Sequence, residues 1–181
     1  MADNSLTDPK DMFSIAYLQM LTAHIKHSFV DCSGTSKDKK GVDCEVFKTE
    51  CLEVYFQAKC TSISSKSMIE EDENYIYYNF DIKKYKAHYK KYLALIILPA
   101  DAEFEQWLET NFLFEIKDPN KSGLLLKARA FYLPINGSYD LGKPPNSNRS
   151  NNLVKIPKTN ILNQNSLLKM VELVENPEQT L

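Results

Sequence analysis

An aspartate, a glutamine and a lysine, spaced to meet on one β-hairpin, are the side chains of this sequence best suited to chemistry. Gly41 to Val46 reads GVDCEV and Val54 to Ser62 reads VYFQAKCTS. Both lie in strand-like runs, Val42 to Phe47 and Leu52 to Cys60, with a short polar turn around Thr49 and Glu50 between them. Asp43 and Gln57 are separated by an even number of residues, so in a hairpin centred near residue 50 they fall opposite one another on one face. Lys59 shares that face because strand side chains alternate. A carboxylate, an amide oxygen and an ammonium gathered at one point suit a divalent cation and a phosphate. The plainer alternative is three polar residues pointing into water. Against it, the flanking Val42, Val46, Val54, Phe56 and Cys60 are fit for burial.

The elements around the hairpin follow from periodicity. Phe13, Ala16, Tyr17, Met20, Leu21 and His24 recur at three- and four-residue steps and predict a helix from Pro9 to about Phe29, capped by Asp8. Asp31 to Lys40 reads as a loop. Past the hairpin, Tyr75 to Phe80 predicts an aromatic strand. Asp81 then opens a lysine-rich helix with Ile82, Tyr85, Tyr89 and Tyr92 on one stripe. The apolar run Leu93 to Leu98, closed by Pro99, has the length of a buried strand. Glu103 to Glu109 predicts a short helix, and Phe112 to Ile116 and Leu124 to Leu133 two strands. Asn136 to Asn152 predicts a flexible loop, Val154 to Pro157 a last edge strand, and Ser166 to Glu175 a closing helix with Asn165 as its cap. Strands alternating with helices imply an α/β or α+β arrangement. At 181 residues the chain fits one domain, 1–181, with an ordered core expected over about 9–135 and 153–176.

The segment from Gly41 to Lys59 resembles the G-(I/V)-D…Q-x-K signature of bacterial members of the PD-(D/E)XK, or restriction-endonuclease-like, superfamily. The resemblance extends through Asn79-Phe80-Asp81-Ile82 to Tyr85, Leu93 to Pro99, Trp107-Leu108 and Lys155-Ile156-Pro157, nearly the whole chain. It implies an α/β fold with a central mixed β-sheet flanked by helices. It also implies a nuclease that hydrolyses phosphodiester bonds in DNA, ahead of RNA, in a bacterial defence or mobile-element setting. Asp43 would be the principal ligand of Mg²⁺ or Mn²⁺, with Gln57 and the carbonyl of Ala58 adding oxygens. Lys59 would position the attacking water and offset charge growing on the phosphate. Relatives generally place a Glu on the first helix. Here no carboxylate occurs between Asp11 and Asp31, and Ser14 or Gln19 stands in that place. Glu45 shares Asp43's strand face and reads as solvent-facing. The missing acid makes room for a second class: a catalytically inactive module on the same fold that binds nucleic acid or a partner protein. An activating partner protein is a further expectation.

Net charge of −2 argues against a protein that coats nucleic acid through bulk electrostatics, leaving local patches. Lys83, Lys84, Lys86 and Lys90 are the candidates for tracking a phosphate backbone, the alternative being a solvated helix face. Tyr85, Tyr89 and Tyr92 read as core rather than base-stacking residues. Cys32, Cys44, Cys51 and Cys60 contain no CxxC pair and read as buried thiols. His24 and His27 have metal-compatible spacing but no third ligand, and no GxSxG or GxxxxGK[ST] motif is present. No apolar run approaches a membrane span, and Met1 to Lys10 lacks a secretory signal, so a cytoplasmic protein is expected.

Overall fold

A computed structural model of the chain describes residues 9–38, 41–48, 52–62, 69–99, 108–110, 124–126, 128–143 and 153–175. Helix α1, Pro9–His24, is held by Phe13 and Leu18, which are buried against the sheet. Its buried Ser14 and Thr22 hydroxyls donate to the carbonyls of Asp11 and Leu18, 2.7 and 2.8 Å away, as polar groups inside a helix must when water cannot reach them. The helix stops five residues short of Phe29. Lys26 takes a left-handed φ of 58°, and the amides of Lys26 and His27 bond back to Ala23 and Thr22. This is the Schellman turn that glycine usually marks, built here on a lysine, so no sequence signal announces it. The expected cap Asp8 lies outside the described residues.

The released chain forms β1 (Ser28–Asp31), which pairs antiparallel with β2 (Cys44–Phe47). That strand was not anticipated. β2 pairs antiparallel with β3 (Glu53–Ser62), in the register expected of the hairpin: Cys44 faces Phe56 and Val46 faces Val54. The chain then builds β4 (Ile69–Glu71) and β5 (Tyr75–Tyr78) before β6 (Lys91–Leu98) returns parallel to β3. β7 (Leu108–Thr110) and β8 (Leu124–Leu126) form a separate two-stranded ladder. β9 (Arg129–Pro134) pairs antiparallel with β6 and completes a mixed sheet ordered β1-β2-β3-β6-β9. β10 (Leu141–Gly142) and β11 (Leu153–Pro157) join β5 and β4 in a second sheet, ordered β10-β11-β5-β4. α2 (Gln164–Glu175) closes the described chain.

The fold is therefore mixed α/β, with a mixed multi-stranded sheet and two helices. Both helices cover one face of the main sheet, packing Phe13, Leu18, Leu167 and Met170 on Val54, Phe56, Ala94 and Ile96. Where helices were expected on the other face, the described residues put the second sheet, with Ile76, Tyr78, Val154 and Ile156 on Leu93, Leu95 and Ile97. β6 lies between both layers and between β3 and β9, so every residue of it is buried and the apolar run is continuous.

Several expectations are corrected. The lysine-rich segment is not a helix: one 3₁₀ turn, Ile82–Lys84, gives way to an irregular stretch and a turn at Tyr89 and Lys90 before β6. The aromatic rings, the turn and the start of β6 occupy the span that a helix would need. Tyr85 is half-buried, Tyr89 is 65% exposed and Tyr92 packs in the helix-side core, so the three share no stripe. β11 is an interior strand, not an edge, because β10 pairs on its far side; β10 itself falls within the stretch read as a loop. Leu124 to Leu133 is two strands, Leu108 to Glu109 is strand rather than helix, and Phe112 to Ile116 lies outside the described residues. The cap of α2 is Asn163, two residues earlier than the expected Asn165. Its Oδ1 accepts from the amides of Asn165 and Ser166 at 3.0 Å, while Ser166 Oγ accepts from the Asn163 amide at 2.9 Å, a reciprocal capping box.

Candidate functional site

Asp43 stands one residue before β2, and its backbone stays in register. Its amide donates to Phe56 O at 2.8 Å and its carbonyl accepts from the Cys32 amide at 2.9 Å. The register of the hairpin puts Gln57 opposite it, and Gln57 Nε2 donates to Asp43 Oδ2 at 2.5 Å. The Ala58 amide donates to the same oxygen at 2.8 Å, and Lys59 Nζ lies 3.9 Å from it. Asp43, Gln57, Ala58 and Lys59 are thus brought together as the spacing requires. The Asp43 side chain is 18% exposed and that of Lys59 31%, so the pair is reachable from solvent.

Two features suit this cluster to chemistry. Among the described residues the buried Gln57 Oε1 has no hydrogen-bond partner, an uncommon state for a buried acceptor. Burial raises the Asp43 carboxyl above its ordinary range. Lys59 and the Ala58 amide oppose that rise, and the carboxylates of Asp38 and Asp11 add to it. A carboxylate held out of water among other acids, in reach of a lysine, has the environment of functional groups generally.

Gly41 explains its own place in the GVD run. Its φ is 71°, and a Cβ there would sit 2.2 Å from Tyr85 Cδ1 and 3.0 Å from Gln57 Oε1. Tyr85 therefore lies directly on the backbone that leads into Asp43. It is carried there by stacking on Phe80 (centroids 4.7 Å, 10° between planes), which stacks in turn on Tyr78 of β5. The second sheet thus closes over the site through a column of aromatic rings.

Three residues outside the predicted Asp43, Gln57 and Lys59 cluster surround the site. Lys91 opens β6 beside Tyr55 and shares the face of Gln57 through the parallel register. It is 3% exposed, with Nζ 5.4 Å from the Tyr85 ring centroid. Burial lowers its pKa, while the Asp43 carboxylate opposes the shift. Asp11, in the first turn of α1, acts electrostatically on the Asp43 carboxyl. Ser14 instead hydrogen-bonds within the helix and Gln19 is exposed. Lys37 approaches both carboxylate oxygens of Glu45, at 2.6 and 2.8 Å. Glu45 is buried rather than solvent-facing, because Lys37 supplies the charge that makes its burial tolerable. The signals for Lys91 and Asp11 were present as residue types, but only the parallel pairing of β6 and the packing of α1 on the sheet give them a place.

The basic candidates separate. Lys83 and Lys84 are exposed on the 3₁₀ turn, with Lys84 Nζ 3.2 Å from Asp81. Lys86 lines a cavity with Lys37, Val42, Tyr55, His88 and Lys91. Lys90 Nζ lies over the Tyr89 ring at 5.3 Å. Cys32 and Cys44 are buried thiols, and Cys51 lies outside the described residues. Among the described residues, no three His, Cys, Asp or Glu side chains are grouped to hold a metal ion, and no helix is long and apolar enough to cross a membrane. Comparison of the chain with protein-family models, curated proteins and solved structures finds no match in any of the three.

Proposed function

We propose that the protein is a metal-dependent nuclease of restriction-endonuclease-like architecture, hydrolysing phosphodiester bonds in DNA ahead of RNA at Asp43, Gln57 and Lys59. The observation that carries this reading is the convergence of those side chains and the Ala58 amide on one carboxylate oxygen. The order helix, three-stranded antiparallel meander and parallel return strand supports the architecture. The residues fit Mg²⁺ or Mn²⁺ in kind: the Asp43 carboxylate and Gln57 Oε1 are hard oxygen donors. A single carboxylate is in keeping with Mg²⁺, which retains waters and leans on substrate phosphate oxygens. Such an ion supplies Lewis-acid activation of water and of the phosphoryl group. Lys59, half-exposed and 3.9 Å from Asp43, would offset negative charge on the phosphate.

A second reading, a non-catalytic module binding nucleic acid or a partner protein, is favoured by one observation: Asp43 Oδ2 already accepts two hydrogen bonds. Cleavage of supercoiled plasmid and of single-stranded DNA and RNA, with Mg²⁺, Mn²⁺ or chelator, separates the two. The nuclease reading expects metal-dependent cutting that falls by about 10²–10⁴-fold in Lys59→Ala while the circular dichroism spectrum is unchanged. Cutting that persists in Lys59→Ala and Asp43→Asn refutes the site; binding of strands without cutting selects the second reading.

A further inference from the structure

The segment after β11 runs along the outer edge of β9. The Tyr132 amide donates to Asn160 O at 3.0 Å and the Leu162 amide to Ala130 O at 2.8 Å, after which Asn163 caps α2. The next donor on this side of β9 would belong to Pro134, which has no amide proton, so the pairing stops. A cavity of about 680 Å³ lies here between the end of β9 and α2. Ser166, Met170 and Leu173, at three- and four-residue steps, turn one face of α2 to it, and Tyr92 and Tyr132 supply rings from the sheet. Tyr92 is 8% exposed and meets Tyr132 edge-on, with centroids 6.1 Å apart. Neither hydroxyl has a hydrogen-bond partner among the described residues. Burial, with Tyr132 beside it, raises the Tyr92 pKa, so its hydroxyl keeps a proton to donate. Asn136 Oδ1 accepts from the Ser138 amide at 3.0 Å, which leaves the Asn136 NH₂ group to a ligand. Three large apolar side chains that the protein exposes, Tyr89 (65%), Ile161 (52%) and Leu173 (37%), stand on this one recess. Apolar surface gathered at a concavity with a few polar groups is the mark of a ligand site.

We propose that the cavity between β9 and α2 binds a nucleobase, presented by a nucleic-acid strand or by a free nucleotide. A base is a flat ring with hydrogen-bond donors and acceptors on its edge, so it needs ring surface and polar partners together. Tyr132 and Tyr92 offer the rings, and the Tyr92 hydroxyl, Asn136, Thr159 and Asn165 offer the partners. An aliphatic ligand would leave the buried Tyr92 hydroxyl without a bond, and a bare anion would gain nothing from Ile161, Leu173 or the rings. The volume lies within the range of ligand pockets, roughly 300–1,000 Å³, and admits a whole nucleotide. Lys169 is at the cavity and no carboxylate lines it among the described residues, so an attached phosphate is not repelled. The inference rests on the nuclease reading only for a strand as the source of the base, and does not require hydrolysis at Asp43.

The test is calorimetric titration of the full chain in chelator with adenosine 5′-monophosphate and, as a probe without a base, ribose 5-phosphate. The mononucleotide is expected to bind and ribose 5-phosphate to bind at least about 10-fold more weakly. Tyr132→Leu, which fills the same place without a ring, should weaken mononucleotide binding by about 10-fold. Tyr132→Phe, which keeps the ring, should weaken it by only about 3-fold. Tyr89→Ala, at an exposed position, should weaken it by about 5-fold and decides the case if Tyr132→Leu does not fold. Equal binding of the two probes, unaltered affinity in Tyr89→Ala or in folded Tyr132→Leu, or no binding by wild type overturns the proposal. A wild-type dimer that Tyr89→Ala dissociates, with neither probe bound, gives the cleft to a second copy and overturns it as well. Single-stranded oligodeoxyadenylate separates the two sources. Binding tighter than that of the mononucleotide and weakened by Tyr132→Leu assigns a strand, and binding no tighter assigns the free nucleotide. Lys59→Ala should bind the mononucleotide as wild type does, so a failed nuclease reading and a failed pocket are distinct outcomes.

Discussion

The two faces of β3 differ as sharply as any two regions of this protein. Val54, Phe56 and Ala58 point to the helices and pack in the apolar core beneath them. Tyr55, Gln57 and Lys59, interleaved with them, point the other way, to Asp43 and Lys91. Alternation along a strand therefore lets one segment contribute to the core and to a polar site at once. Because the helix side is closed and well packed, the opposite side can hold a buried amide oxygen with no partner among the described residues and a carboxylate short of solvation. Such groups cost stability, and the packed face offsets the cost.

Substitutions on the two faces should separate stability from function. The largest stability effect is expected from Phe56→Ala: removing a fully buried ring should cost about 3–5 kcal/mol, read as a lower urea midpoint. If Phe56→Ala proves nearly neutral, the helix-side face is not the closed core described.

Gly41→Ala tests where the faces meet. A methyl group at φ 71° and against Tyr85 should cost about 1–3 kcal/mol and displace the ring. Adding Tyr85→Ala should restore part of the loss, since it removes the clash but not the backbone strain. An additive pair of losses would show that Tyr85 does not rest on Gly41.

On the polar face the sign reverses. Folding raises the Asp43 carboxyl above its unfolded value, so the folded state holds that proton more tightly and stability falls as pH rises through the shifted range. Asp43→Asn keeps an acceptor for the Ala58 amide without the charge. It should raise the melting temperature at pH 7 by about 1–4 °C while abolishing cleavage. A lower melting temperature would show that the carboxylate is a structural group.

The smallest effect lies away from both faces. Glu71 of β4 takes hydrogen bonds from Arg129 and Lys158, which outweigh its partial burial and hold it below the ordinary carboxylate range. Its contribution is complete above the unfolded glutamate pKa and is lost as pH falls through the lowered one. Glu71→Gln should therefore lower stability slightly at neutral pH and change little at acid pH, which flattens the acid limb of the stability curve.

The hairpin, its register and the meeting of Asp43 with Gln57 and Lys59 were legible in the sequence, because strand parity and turn position follow from local pattern alone. The buried strand at Leu93 to Leu98 was legible for the same reason. The end of α1 was not, since its left-handed residue is Lys26, and β1 was missed with it. The lysine-rich segment misled because helical spacing of its tyrosines is also compatible with an irregular run whose rings stack on Phe80 and His88.

By itself, then, the sequence determined which side chains converge across the hairpin, since hydrogen-bonded neighbours close in the chain need only alternation and a turn. Tertiary structure decided what surrounds them: Lys91 through a parallel pairing distant in sequence, Tyr85 on Gly41 through the second sheet, and Asp11 through the packing of α1 on the sheet. These contacts depend on how layers dock, which is set by summed burial over both faces of the sheet and has no local periodicity to read.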